Sequence, residues 1–459
     1  MQASKDCQSH FFDTFLSVCW QKGPSTRPPP ERSHMTLPQI PRYRPGTDLL
    51  GFEKPPADIT PGLIRLKAED GAMSRGVLYS NGGEPTVVCV LHPRGDMTRH
   101  YLLPFITDAG FAAFGQESRA PNNDTMATHE ALLADIAAAV RHLRGLGYRK
   151  VVFLGYSGGG SVYSLYQAQA LTSPPARLTD TAAGDPFDLN RFDMPPADGL
   201  MFIGSHLGAG WMMQHEIDPS VMDEADPLSC DPTLDMYNPD NGFREPPGQS
   251  HYSAAFITRY RAAQIARVAR IDAIARSLLA EQRRFQAMTR TDTFKTLPLA
   301  ERTFVSRRAV SGRFLQIFRT DANPSTLDLS IEPSDRSLGS INSLRPDLTN
   351  YMDNGFARIL TPRAWLSLWS GQSSRADLLA NLSKVVVPTL IIGFTGDNAI
   401  LPSTGQAIFE QSPAADKKLH YAKTDHFGFP LPDHPNSGGR QEIGAIVANW
   451  LRERFPYRS

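Results

Sequence analysis

Cysteine is scarce in this chain. There are four in 459 residues (Cys7, Cys19, Cys89 and Cys230), with no C-x-x-C pair and no metal-ligand spacing. That excludes a disulfide scaffold and a thiolate metal centre, and it reads as reduced, structural thiols. An excess of either charge is also lacking, since Lys+Arg and Asp+Glu both number 47. A balanced chain has no electrostatic footprint for nucleic acid or a membrane surface, and a neutral or apolar small molecule suits it better as partner. No apolar run approaches the roughly 18 residues of a membrane helix. There is no internal repeat, and the acidic stretch "DPTLDMYNPDNG" does not match the D-x-[DN]-x-[DN]-G calcium loop. No metal and no cofactor is assigned.

The start of the chain lacks a regular pattern. "HFFDTFLSVCW" is too short and wrongly flanked for a signal peptide, and the Pro-rich "QKGPSTRPPPERSH" that follows reads as disordered. Residues 1–45 are expected to be a poorly ordered extension, of which 1–34 are dispensable, and the protein is expected in the cytoplasm.

Regular structure is predicted from Gly62 onward. "GLIRLKAEDGAMSRGVLYSN" (62–81) reads as two strands around the Asp70-Gly71 turn, and "TVVCVL" (86–91) as a strand buried on both faces. "GFAAFGQ" (110–116) is a weaker strand. In "HEALLADIAAAVRHLRGLG" (129–147), Leu133, Ile136, Val140 and Leu143 form one helical face. "KVVFLG" (150–155) is a strand and "SVYSLYQAQA" (161–170) a helix. "DGLMFIGSH" (198–206), "VVVPTLIIGFTGD" (385–397) and "KKLHYAKTDH" (417–426) are further strands, and "RQEIGAIVANWLRERF" (440–455) a closing helix. Strands alternating with helices predict an α/β fold with a doubly wound, mostly parallel sheet. Residues 207–384 interrupt it with a different texture: a long Arg/Ala-rich helix at 253–288, a strand pair at 302–318, and a helix at 361–369. The division expected is therefore core 46–206, an inserted, mainly helical cap 207–384, and core 385–459.

The chemistry centres on "GYSGG" (155–159). It fits G-x-S-x-G, with a buried strand before it and a helix after it, as a nucleophile elbow requires. Glycines on both sides remove the Cβ atoms that would clash as strand and helix close, and the strained turn lifts the Ser157 hydroxyl clear of the sheet. A serine needs a base and the base needs an orienting acid. Of the late histidines, His420 falls inside a strand and His434 in a turn, whereas His426 directly follows the last strand. The acid expected after the penultimate strand is Asp397; Asp425, beside His426, reads as a turn residue. One oxyanion donor is the N–H of Gly158, and the other comes from the loop after 86–91, "HPRGD".

These elements resemble the α/β-hydrolase superfamily over roughly 60–206 and 385–457. The resemblance implies an α/β-hydrolase fold and assigns the second oxyanion N–H to Arg94, because Pro93 has no N–H to give. Serine at 157 also excludes the carboxylate nucleophile of dehalogenases and epoxide hydrolases. His206, Trp211, Met212 and Met213, with Met236, Tyr237 and Phe243 further on, are expected near the mouth of an apolar substrate pocket. The function expected is a serine hydrolase cleaving a carboxylic ester of a fairly apolar small molecule. Acyl transfer or C–C bond hydrolysis by the same triad is one alternative, and a non-catalytic binding module on the same fold is another.

Overall fold

The computed structural model describes residues 49–120, 125–353 and 355–458. The expected extension, 1–45, lies outside them. Strands β1 (Gly62–Lys67) and β2 (Met73–Tyr79) form an antiparallel hairpin around Gly71. β3 (Thr86–Leu91), β4 (Ala112–Glu117), β5 (Lys150–Tyr156) and β6 (Gly199–Ile203) follow, then the short β7 (Leu315–Gln316) and β8 (Ile359–Leu360), and finally β9 (Thr389–Phe394) and β10 (Lys417–Ala422). Eight strands make one sheet in the order β1-β2-β4-β3-β5-β6-β9-β10, parallel from β4 through β10, with β1 and β2 antiparallel at one edge. This is the doubly wound, mostly parallel architecture expected. The central strands β3, β5, β6 and β9 are mostly apolar, and buried throughout apart from Lys150 at the start of β5, because helices cover both faces, which leaves no solvent side to alternate toward.

Helices His129–Gly145 and Gly159–Leu171 pack on one face, with Val87, Phe153 and Phe202 beneath them. Helices Leu103–Asp108 and Gly439–Arg454 cover the other, over Val88, Leu154 and Ile392.

Between β6 and β9 the chain makes a helical insertion. Its backbone is the 36-residue helix Ala254–Thr289, capped by Ser253 Oγ, which accepts from Phe256 N–H at 3.1 Å. Val268, Ile271, Ala275 and Leu279 form its apolar stripe against Met213, Trp365 and Trp369. The expected strand pair at 302–318 is instead a helix over Leu299–Val310, followed by the two-residue β7. Val305 and Ala309 lie four apart and bury one helical face against Phe285, so side-chain packing overrides the β-branched content. The stretch 361–369 is helical as expected, but Trp365–Trp369 widens to a π-helix.

Polar contacts, some buried and some half-exposed, tie the insertion to the core. The N–H of His129 donates to Ser367 Oγ at 2.9 Å, and Ser367 Oγ donates to Glu130. Arg363 pairs with Asp185 at 2.6 Å and Arg375 with Asp180 at 2.7 Å. The helix Leu378–Leu382, near the expected boundary at 384, packs into the core cluster that includes Val162 and Leu165.

Two glycines mark where strand, turn and helix approach most closely. A Cβ on Gly155 would lie 2.5 Å from Gly160 Cα, and one on Gly159 would lie 2.0 Å from the Leu91 carbonyl oxygen. Gly159→Ala is expected to destabilise the fold by about 1–3 kcal/mol, because the obstacle is backbone and cannot swing aside. Gly145→Ala, where a Cβ meets nothing within 4 Å, is expected to be neutral or stabilising by up to about 1 kcal/mol. Chemical denaturation of the two variants checks the contrast.

Candidate functional site

β5 delivers Ser157 into a left-handed turn with φ +51°, a conformation that costs a non-glycine residue about 1–3 kcal/mol. The turn is held from below. Ser157 N–H donates to the Ile203 carbonyl at 3.1 Å, and Ser205 Oγ donates to the Gly155 carbonyl at 2.8 Å. The hydroxyl thus stands at the carboxyl end of the central strand β5, at the N-terminal end of the helix Gly159–Leu171.

The structure brings Asp397 and His426 to this hydroxyl from the loops after β9 and β10. His426 Nδ1 lies 2.6 Å from Asp397 Oδ2, and His426 Nε2 lies 3.2 Å from Ser157 Oγ. A carboxylate only accepts, so Nδ1 carries the proton and Nε2 presents its lone pair to the serine hydroxyl. Asp397 is fully buried, and its other oxygen accepts from the amides of Ala399 at 2.7 Å and Ile400 at 2.9 Å. Tyr156 OH donates to the His426 carbonyl and fixes the backbone of that loop. Asp425 points elsewhere. Its Oδ1 accepts from the amides of Phe427 at 2.9 Å and Phe429 at 2.8 Å, which is the turn role expected of it.

Burial lowers the affinity of the His426 imidazole for a second proton, but the charge and hydrogen bond of Asp397 outweigh burial and raise its pKa above the ordinary 6.5. His206 is the reverse case: burial, with the neighbouring His426, pushes it down to about 3. His92 is likewise held well below the usual range by burial and by Arg94. In both of these rings burial favours the neutral form.

A cavity of about 370 Å³ opens on Ser157. Its walls are Leu50, Met212, Ile341, Phe356, Trp369, Ile400 and Phe427, with Asn342, His92 and His206 as polar members. Arg94 also reaches it, with its guanidinium over the rings of Phe356 (5.3 Å) and Trp369 (5.1 Å) from the insertion. The amide of Arg94 donates to His92 Nδ1 at 3.2 Å, and the amide of Gly95 to the same atom at 2.9 Å. Of the expected pocket residues, His206 and Met212 line the cavity. Met213 does not: it is buried in the insertion's own apolar cluster. Trp211 lines a neighbouring cavity and stacks on His215 at 4.1 Å. On the helix Ala209–Glu216 only Ala209 and Met212, three apart, face the site; the residues beside Met212 are turned about 100° away. Met236, Tyr237 and Phe243 form a separate cluster with Tyr252 and Phe256. Sequence reasoning missed Ile341, Phe356 and Trp369, which are distant in the chain and bear no local signal. His92 was visible as part of the "HPRG" loop without a role of its own.

Among the described residues no group of three or more His, Cys, Asp or Glu is placed to hold a metal ion, and no helix is long and apolar enough to cross a membrane.

No family model matches the chain, and no curated protein matches it in sequence. Solved structures resemble it over most of its length. DcsB, solved in complex with its substrate analogue, is 15% identical, with 86% of this chain and 99% of that one covered and a TM-score of 0.45. The α/β hydrolase GrgF from Penicillium sp. sh18 is 10% identical, with 86% and 98% covered and a TM-score of 0.43. A monoacylglycerol lipase from Paleococcus ferrophilus is 13% identical, with 86% and 99% covered and a TM-score of 0.37.

The raised His426 pKa sets a pH expectation. Only the neutral imidazole can accept the serine proton, so labelling of Ser157 by a fluorophosphonate is expected to accelerate with pH through a value above 6.5. The stability linkage runs the other way. The charged pair contributes fully below about pH 6.5, the unfolded value, and is lost as pH rises through the folded one. In Asp397→Asn the acid limb should move to lower pH and labelling should slow about 10³-fold or more. Asp425→Asn keeps its acceptor oxygen and should stay within about tenfold of the parent.

Proposed function

With the α/β-hydrolase fold as frame, we propose that this chain is a serine hydrolase that cleaves a carboxylic ester of a fairly apolar small molecule. The observation that carries the reading is the connected line Asp397 Oδ2–His426 Nδ1 at 2.6 Å and His426 Nε2–Ser157 Oγ at 3.2 Å, opening on an apolar cavity. Ser157 Oγ attacks the ester carbonyl as its proton passes to His426 Nε2. Asp397, held by two amides, keeps the tautomer and stabilises the imidazolium. The imidazolium then protonates the departing alkoxide. Water enters, gives its proton to His426, and attacks the acyl-enzyme to release the acid and regenerate Ser157.

The oxyanion is received by the amide of Gly158 at the helix N-terminus and by that of Arg94. The Arg94 amide can turn to an oxyanion without orphaning His92, because Gly95 holds the shorter of the two bonds to the same nitrogen. Substrate preference is assigned to the apolar walls. Each methylene of fit against Met212, Phe356 or Trp369 is worth about 1–3 kcal/mol of discrimination.

Ser157→Ala is expected to lower turnover of a chromogenic ester by at least about 10³-fold and to abolish labelling by a fluorophosphonate. Activity within tenfold of the parent would remove the assignment. Met212→Ala should re-rank esters by acyl or alcohol size while labelling of Ser157 persists. Met213→Ala should leave the ranking alone and cost about 2–5 kcal/mol of stability, because its side chain fills the insertion's core instead of the cavity.

A further inference from the structure

Three imidazoles surround Ser157, and local hydrogen bonds lock them in opposite tautomers. His426 donates from Nδ1 to Asp397, so its Nε2 is a lone pair. His206 Nδ1 accepts the amide of Gly208 at 3.1 Å, and His92 Nδ1 accepts the amides of Gly95 and Arg94. A backbone N–H can only donate. In both neutral rings the proton must therefore sit on Nε2, and the bonded Nδ1 excludes a ring flip. Both Nε2–H groups converge beside the residue after the nucleophile: a Cβ built on Gly158 would lie 3.0 Å from His92 Nε2 and 3.1 Å from His206 Nε2. Neither Nε2 has a hydrogen-bond partner among the described residues, and both rings line the cavity. Two Nε2–H groups thus border one small space beside Gly158, and no acceptor of the protein lies within hydrogen-bond distance of either among the described residues. Both nitrogens open on the cavity, so solvent answers them in the free protein and a ligand oxygen entering the space can take its place.

We propose that His92 and His206 are catalytic hydrogen-bond donors that, with the Gly158 amide, hold the oxygen of the reacting carbonyl as it becomes negative. This rests on the serine-hydrolase reading and adds to it side-chain donors that neither the elbow motif nor Arg94 supplies. It also gives Gly158 a second reason to be glycine, since any Cβ would crowd the space the oxygen takes.

The test separates the two ring nitrogens. An Asn side chain places its amide where Nδ1 stands, so His92→Asn and His206→Asn can keep the loop acceptor but lose the distal donor. A Gln side chain places an N–H near Nε2 and gives up the loop acceptor. On a p-nitrophenyl ester, each Asn variant is expected to lose about 10²-fold in kcat with KM within threefold, and each Gln variant to stay within about tenfold. Asn variants within threefold of the parent, or Gln variants as impaired as Asn, would overturn the donor role and indicate loop support only. The underlying reading fails separately and earlier, if the unaltered protein neither turns over the ester nor is labelled by a fluorophosphonate.

Should the variants not fold, the unaltered protein labelled with ¹⁵N-histidine answers instead. When an aryl boronic acid adds to Ser157, two Nε2-bound protons should move downfield. A response confined to His426 would overturn the proposal.

Discussion

The left-handed backbone of Ser157 is the constraint on which the rest of the structure depends. At φ +51° the chain reverses from β5 into the following helix within one residue, and Ser157 stays half-buried while its neighbours are buried. Such a turn persists only where its surroundings over-determine it. Here β6 supplies the acceptor for the Ser157 amide, Ser205 ties down Gly155, and Gly155 and Gly159 permit backbone contacts that any side chain would forbid. The sheet order follows the same need: β5 is central, with β3 and β6 beside it, and the loops after all three strands reach the serine.

The insertion turns a strained serine into an enclosed one. Phe356 and Trp369 come from it, and between them and the core stands Arg94, packed against both rings. The core in turn holds the insertion through His129, Glu130 and Ser367, and through the arginines Arg363 and Arg375. Walls and chemistry are therefore contributed by different segments. That is the arrangement in which specificity can change while the bond-breaking groups stay in place.

The three histidines show how one residue type serves opposite roles through local partners. A carboxylate at Nδ1 makes Nε2 a base; a backbone amide at Nδ1 makes Nε2 a donor. Burial then removes the option of charging His92 and His206, whereas Asp397 preserves it for His426.

The sequence by itself determined the elements whose cause is local. Buried strands show as apolar runs, the elbow as a serine between glycines, and Asp397 and His426 as polar residues at the ends of such runs, so chain order was enough to single them out. It also set Asp425 apart from Asp397 by position, since Asp397 ends the penultimate strand and Asp425 sits in the turn beside His426. Tertiary structure alone decided what depends on residues distant in the chain. Leu299–Val310 became a helix because Phe285 lay there to receive Val305 and Ala309. Met212 reached the cavity and Met213 did not, because helix orientation is set by what packs behind it. The walls from Ile341, Phe356 and Trp369, and the meeting of His92 and His206 beside Gly158, follow from contacts made only when the insertion and the loops after β3 and β6 close around Ser157. Periodicity records which face of an element is buried, and it carries no information on what that face meets.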